Sequence, residues 1–276
     1  MFKDIIAYLS VSKGNEAIAD FAVSVASTLE AHITGIAMVF VLNTPGASMG
    51  YLPLEKIEPQ QREYEAAAKT ARDHFAAATA RAGVSAGPQL LHTSFAKAAN
   101  LFGRIARGFD LSIVGQAKPD GNAVEAMISE STLFESGRPV IIVPYIQKAP
   151  IKLDRIMVCW DGSRSAARAI ADAMPLLERA KNVEVVIVTN ERGKRDEIEG
   201  ADIGQHLARH GLKVEVTRIT HGDLDVADAL LSHSMDASAD FMVMGGYGHS
   251  RLREFVLGGV TRSILRTMTL PTLMSH

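Results

Sequence analysis

The glycines between Met244 and Thr261 are the residues of this chain best spaced to do chemistry. Gly245 and Gly248 stand three apart, directly after the apolar run Phe241-Met242-Val243-Met244. Gly258-Gly259 then opens a helical stretch that ends near Met268. A strand that ends in glycine lets a ligand approach the backbone with no Cβ in the way. A helix starting at Gly258 presents unpaired N–H groups and the positive end of its dipole, and both favour an anion. The pattern is that of a phosphate cradle. It is not the G-x-x-x-x-G-K-[ST] of a P-loop, nor the G-x-G-x-x-G of a dinucleotide fold. Glycines also shape plain loops, but five of them within fifteen residues, straight after a strand-like run, favour a ligand. Arg251, Arg253 and Glu254 lie between the two glycine groups. They read as a solvated loop face, or the arginines as partners of phosphate through charge-assisted bonds.

Asp161 is the second candidate, in the run Cys159-Trp160-Asp161-Gly162-Ser163 at the end of a predicted strand. Alone, it reads equally well as an Asx-turn or helix cap. Opposite a glycine cradle it reads better as an acceptor for the nucleoside part of a nucleotide. Other residues carry less. His206 and His210 stand four apart on a predicted helix, a spacing that can hold a metal, but no Glu or Cys completes a set and an exposed face explains them. Cys159 falls inside a strand and reads as a small buried hydrophobe rather than a reactive thiol. His221-Gly222-Asp223 reads as a loop first and a ligand contact second.

These residues sit on a unit that the chain writes twice. Asp110-Leu-Ser-Ile-Val-Gly115 matches Asp240-Phe-Met-Val-Met-Gly245, and Ile5-Ile-Ala-Tyr-Leu9 matches Ile156-Met-Val-Cys-Trp160. Ala17-Ile-Ala-Asp20 returns as Ala169-Ile-Ala-Asp172, and Arg138-Pro-Val-Ile-Ile-Val143 answers Leu270-Pro-Thr-Leu-Met274. A repeat this long means two similar domains rather than a solenoid of ~20–50-residue units. The boundary falls near Pro144 to Lys152, giving domains 1–147 and 148–276.

In each half, short apolar runs alternate with longer amphipathic segments, the sign of βαβ units and a parallel sheet. Strands are predicted at 4–9, 33–40, 86–92, 110–115 and 139–143, then at 155–160, 183–189, 213–219, 240–245 and 270–274. Second-half helices are predicted near 164–179, 195–210, 224–237 and 258–268, with Ser163 as an N-cap and an apolar stripe Ala167, Ile170, Ala171, Met174, Leu177. The first half holds a long helix at about 59–83, whose packing face is Tyr64, Ala68, Ala71, Phe75, Ala78 and Ala82. The closing strands, Val140–Val143 and Leu270–Met274, are short apolar edges introduced by Pro139 and Pro271, and they are expected to pair with each other.

The glycine spacing resembles the G-x2-G-x9-G-[S/T] nucleotide motif of the universal stress protein family. The resemblance covers both halves in overall pattern and is specific only in the second. It implies an α/β fold of two similar domains, each an open five-stranded parallel sheet of order 3-2-1-4-5 with helices on both faces. It implies ATP or ADP, with or without Mg2+, held by Asp161, Met244, Gly245, Gly248, Gly258, Val260 and Thr261. Gly259 stands where the family has Ser or Thr, so the hydroxyl contact to phosphate is lost while the backbone donor stays. In the first half Ser10 replaces the Asp, Lys118 replaces the second glycine, and Ile128-Ser129 falls where Gly258-Gly259 should be. That half is expected not to bind nucleotide.

The expected function is therefore that of a stress-response regulatory protein with one nucleotide site, not an enzyme beyond slow ATP hydrolysis. Two alternatives stand beside it. An adenine-nucleotide-dependent enzyme on the same fold should carry HIGH-like or SGGxDS-like sequences, and neither occurs. A purely structural dimerisation module describes the first half but not the second. At 276 residues, 47% apolar and 22% charged, the chain has material for two ordinary cores. A net charge of −2 gives no basic footprint for nucleic acid, and one cysteine excludes an intrachain disulfide framework. No apolar run approaches the ~18 residues of a membrane span, and the start, Met1-Phe2-Lys3-Asp4, has no leader pattern. A cytoplasmic protein with a protein partner, or a homodimer, is expected.

Overall fold

The computed structural model describes residues 1–12, 14, 16–41, 54–119, 121, 123–189, 200–246 and 259–276. The chain forms two units, one of Phe2–Arg138 with Lys148–Pro150, the other of Pro139–Gln147 with Ile151–His276 and Met1.

The first unit runs β1 (Asp4–Leu9), α1 (Glu16–Leu29), β2 (His32–Phe40), α2 (Leu54–Ala82), β3 (Ala86–Thr93), α3 (Phe95–Ala106), β4 (Leu111–Gly115) and α4 (Ala123–Glu135). β1 pairs in parallel with β2 and β4, and β2 with β3, so these strands take the order 3-2-1-4. α1 packs with α2 and α3 with α4, as right-handed crossovers on opposite faces require. Ile5, Ile6, Ile33, Leu111 and Ile113 are fully enclosed, which is why strands covered on both faces read as continuous apolar runs.

The helix read at about 59–83 begins earlier, at Leu54, and carries Pro59 inside it. Proline is at home in a first turn, and here it stands beyond that turn, five residues after Leu54. Of its predicted face, Ala68, Phe75 and Ala78 are buried while Ala82 is exposed. Phe75 lies against β2 at Gly35, where an added Cβ would fall 2.6 Å from the ring. Tyr64 reaches Phe40 and Phe95, themselves stacked at 4.2 Å between ring centres.

The second unit runs β5 (Val140–Val143), β6 (Arg155–Cys159), α5 (Arg164–Leu177), β7 (Asn182–Thr189), α6 (Gly200–Arg209), β8 (Val214–Thr220), α7 (Val226–Asp236), β9 (Phe241–Gly245), α8 (Gly259–Thr267) and β10 (Thr272–Ser275). β6 pairs with β7 and β9, β7 with β8 and β9 with β10, all in parallel. Counted within this half, the order is 3-2-1-4-5. β5 then pairs antiparallel with β10, Thr272 opposite Ile142 and Met274 opposite Val140, so the two closing strands meet as their apolar edges predict.

The stripe predicted for α5 is displaced. Ala167 and Ala171 are exposed, and the buried set is Ala166, Ala169, Ile170, Ala173, Leu176 and Leu177. This helix carries alanines on every side, and a methyl group does too little to mark which face is inward. The internal repeat, by contrast, has a structural cause. Asp110 Oδ2 accepts from the amides of Lys3 and Asp4, and Asp240 Oδ2 accepts from that of Arg155, each fastening the start of its half's first strand.

Among the described residues two carboxyl groups are buried, Glu125 and Glu184. Glu184, on β7, has a side chain only 4% exposed. Its Oε1 accepts from His233 Nε2 and Thr217 Oγ1, both at 2.8 Å, and its Oε2 accepts from Arg155 Nη1 at 2.9 Å. Burial alone would raise its pKa, but the hydrogen bonds from His233, Thr217 and Arg155 outweigh burial and hold the carboxyl below its ordinary range.

Candidate functional site

β6 and β9 are neighbours in register, Val158 opposite Val243, and chain connections leave them in opposite directions. α5 leads from β6 to β7 on one side, while α7 returns from β8 to β9 on the other. The strand order reverses between them, and in open α/β sheets the crevice beyond the carboxyl ends at such a point is where ligands bind. The residues picked from the sequence emerge there: Asp161 two residues past β6, Gly245 as the last residue of β9. α8 leads into β10, which runs parallel to β9, so the N-terminus of α8 lies at the same edge. Gly259, Val260 and Thr261 are the first described residues of that helix, whose N-terminal dipole end favours an anion.

Asp161 is exposed, and its Oδ1 accepts from the amide of Ser163 at 2.9 Å, closing an Asx-turn over Gly162, whose φ is +72°. Ser163 caps α5 by accepting from Ala166 N at 3.1 Å, as predicted. Turn and cap are thus built into the segment that carries Asp161 to the crevice. Burial, and then the nearby Asp161 carboxylate, push the Cys159 thiol up to about 12, so it carries no thiolate near neutral pH.

Two of the glycines differ in what requires them. A Cβ on Gly245 would lie 2.5 Å from Ala166 N and 2.6 Å from the carbonyl carbon of Ser165. Gly245 therefore lets the first turn of α5 close over the end of β9, a packing reason separate from any ligand. Its counterpart Gly115 does the same for α1, with Ile18 Cδ1 at 2.5 Å. Among the described residues a Cβ on Gly259 would meet nothing within 4 Å. Met244 is 5% and Thr261 4% exposed, so both approach the crevice from its floor. Gly246 donates to Ser275 O at 2.8 Å. Gly248, Gly258, Arg251, Arg253 and Glu254 lie outside the described residues.

Gly245→Ala is expected to destabilise the chain by ~1–3 kcal/mol, the usual cost of overpacking against backbone. Urea unfolding should show a lower midpoint at unchanged slope. A variant as stable as the parent would mean that α5 gives way freely.

The first half fills the matching place with its own side chains. Ser10, at the end of β1, donates to the Glu125 carboxylate, and its Oγ accepts from Ser12 N at 3.1 Å. Glu125 is 6% exposed and stands in the first turn of α4. Burial, and then Glu125, push the Tyr8 hydroxyl above its ordinary range.

The remaining candidates keep their plainer readings. His206 on α6 and His210 just past its end are both exposed, rings 4.9 Å apart, and among the described residues no group of three or more His, Cys, Asp or Glu could hold a metal. His221 Nδ1 lies 2.9 Å from Leu224 O, inside the turn before α7. Among the described residues no helix is long and apolar enough to cross a membrane.

The family model described as the universal stress protein family matches residues 152–276. The universal stress protein Slr1230 of Synechocystis sp. is 24% identical over 172 residues, which cover 60% of this chain and 57% of that protein, so the match spans little more than half its length. A crystal structure of a universal stress protein from Archaeoglobus fulgidus superposes over 99% of this chain and 97% of its own, with a TM-score of 0.73 at 15% identity. The functionally unknown protein PA1789 of Pseudomonas aeruginosa superposes over 99% and 92%, with a TM-score of 0.62 at 15% identity. At these identities the two structures speak for the fold of the whole chain.

Proposed function

We propose that this chain, which belongs to the universal stress protein family in its tandem two-domain form, is a regulatory protein that holds one ATP or ADP in its C-terminal half. The observation that carries this reading is the contrast between the two strand-order reversals. In the second half, Asp161 stands exposed on a fixed turn, and among the described residues none crowds the backbone at Gly259. In the first half, the same edge holds a buried carboxylate bonded to Ser10. A polyphosphate there would meet negative charge, and the low local dielectric magnifies the repulsion.

Purified protein, denatured and analysed by ion-exchange chromatography, should release an adenine nucleotide. Calorimetric titration of the stripped chain with ADP should give one site. Two equivalent sites, or no binding by a folded chain, would overturn the proposal.

A further inference from the structure

Asp225, the residue before α7, has the extended backbone of an N-cap, with φ −65° and ψ 145°, and Ala229 N donates to its carbonyl at 3.0 Å. An aspartate in that place ordinarily accepts from the amides of its own first turn. This one makes no such bond, and its Oδ2 accepts instead from Ser263 Oγ on α8 at 3.0 Å. α7 follows β8 and α8 precedes β10, so both helices begin at the carboxyl edge of the parallel sheet, and they pack against each other. The bond therefore joins two neighbouring helices on the side where the crevice opens.

Which helix the bond locates follows from what else holds each of them. α7 buries Ala227, Ala229, Leu230, Leu231 and Ser234, and its His233 is bonded to Glu184. α8 buries only Thr261 and Ile264. So little enclosed surface leaves its rotation to directional contacts. α7 is the fixed member and α8 the one being placed. Ser263 stands at i+4 from Gly259, on the same side of α8 and one turn along. Holding Ser263 thus sets which way the first described turn faces.

On the reading that this half holds a nucleotide, we propose that Asp225 is a positioning residue for its phosphates. It acts through Ser263, keeping the first described turn of α8 towards the crevice. Its carboxylate also brings negative charge to the edge that receives an anion, and charge alone would weaken the nucleotide. Holding the helix and repelling the ligand therefore predict effects of opposite sign when Asp225 is removed.

Calorimetric titration of the full chain with ADP tests this, with adenosine measured by its displacement of ADP. Ser263→Ala and Asp225→Ala should each weaken ADP about threefold to fivefold, because the loss of one exposed hydrogen bond lowers the binding-competent fraction only modestly. The double variant should be no weaker than either single one, since both remove the same bond. Asp225→Asn keeps an oxygen to accept from the Ser263 hydroxyl and should bind ADP within about twofold of the parent. Adenosine, which has no phosphates, should bind parent and variants alike. ADP affinity indifferent to Ser263→Ala, tighter ADP in Asp225→Ala, an Asp225→Asn chain as weak as Asp225→Ala, or adenosine weakened as much as ADP would each overturn the proposal and leave the nucleotide site standing. A parent that binds no ADP removes the nucleotide reading itself, and this proposal with it.

Discussion

Gly258→Val should leave the chain folded and without measurable affinity for ADP. Gly258 lies outside the described residues, and the expectation rests on its place in the sequence, immediately before the first residue of α8. A branched Cβ there would stand where a phosphate must approach the opening amides of the helix. Losing one charge-assisted hydrogen bond costs ~1.5–3 kcal/mol, about tenfold to a hundredfold in affinity, and excluding the phosphate sterically costs more. The fold should survive because, among the described residues, a Cβ on the neighbouring Gly259 meets no atom within 4 Å. Gly248→Val is expected to act in the same way. Gly259→Ser should do the opposite, supplying the hydroxyl that the family motif has at this position and tightening ADP. Calorimetry reads the affinities and circular dichroism the fold. A well-folded Gly258→Val chain that binds ADP like the parent would remove the site from this loop.

The sheet was legible because burial on both faces writes the inner strands as apolar runs, while the edge strands β3 and β8 are part-exposed and mixed in type. The ten observed strands fall on the ten predicted ones with shifts of at most two residues at an end. The pairing of β5 with β10 was legible for a related reason, since a short apolar edge introduced by proline needs a partner. Helix faces were less legible where alanine dominates. In α5 the inward set lies one position away from the predicted stripe. In α2 the helix starts five residues before the predicted boundary.

Asp161 and the glycines could be picked out because their residue types are rare in such runs and their spacing repeats a known motif. The cause acting at each position was not legible. Gly245 is required by the approach of α5, which only the packing reveals. The pairing of Ser10 with Glu125 joins residues 115 apart, and no local pattern announces it. Glu184 was missed for a similar reason. Within Asn182-Val-Glu-Val-Val-Ile-Val-Thr189 one acidic residue reads as the solvent side of an alternating strand, whereas Arg155, Thr217 and His233 converge on it from three other elements.

Glu184→Ala is expected to cost about 3 kcal/mol of stability, the lower end of what removing one partner from a buried ion pair costs. The side chains of Arg155 and His233 are 31% and 20% exposed, so water can reach both, and Arg155 keeps Glu215 at 3.6 Å. Those two facts place the cost at the lower end. The loss should depend on pH in a definite direction. The Glu184 carboxyl titrates lower in the folded chain than in the unfolded one, because its three hydrogen bonds outweigh its burial. A group of this kind adds stability that is fully present above its unfolded value, about 4.3, and is lost as pH falls through its folded value. The difference between parent and Glu184→Ala should therefore be constant near pH 7 and shrink as pH falls below about 4.5. Urea unfolding of both chains across that range measures it. Glu184→Gln separates charge from packing: it keeps the volume and the acceptor for Thr217 but turns an amide towards Arg155, so it should lose most of the same pH dependence while costing less at pH 7. A parent–variant difference that grows with acid, or none at all, would mean that this carboxylate is not held by the partners the structure gives it.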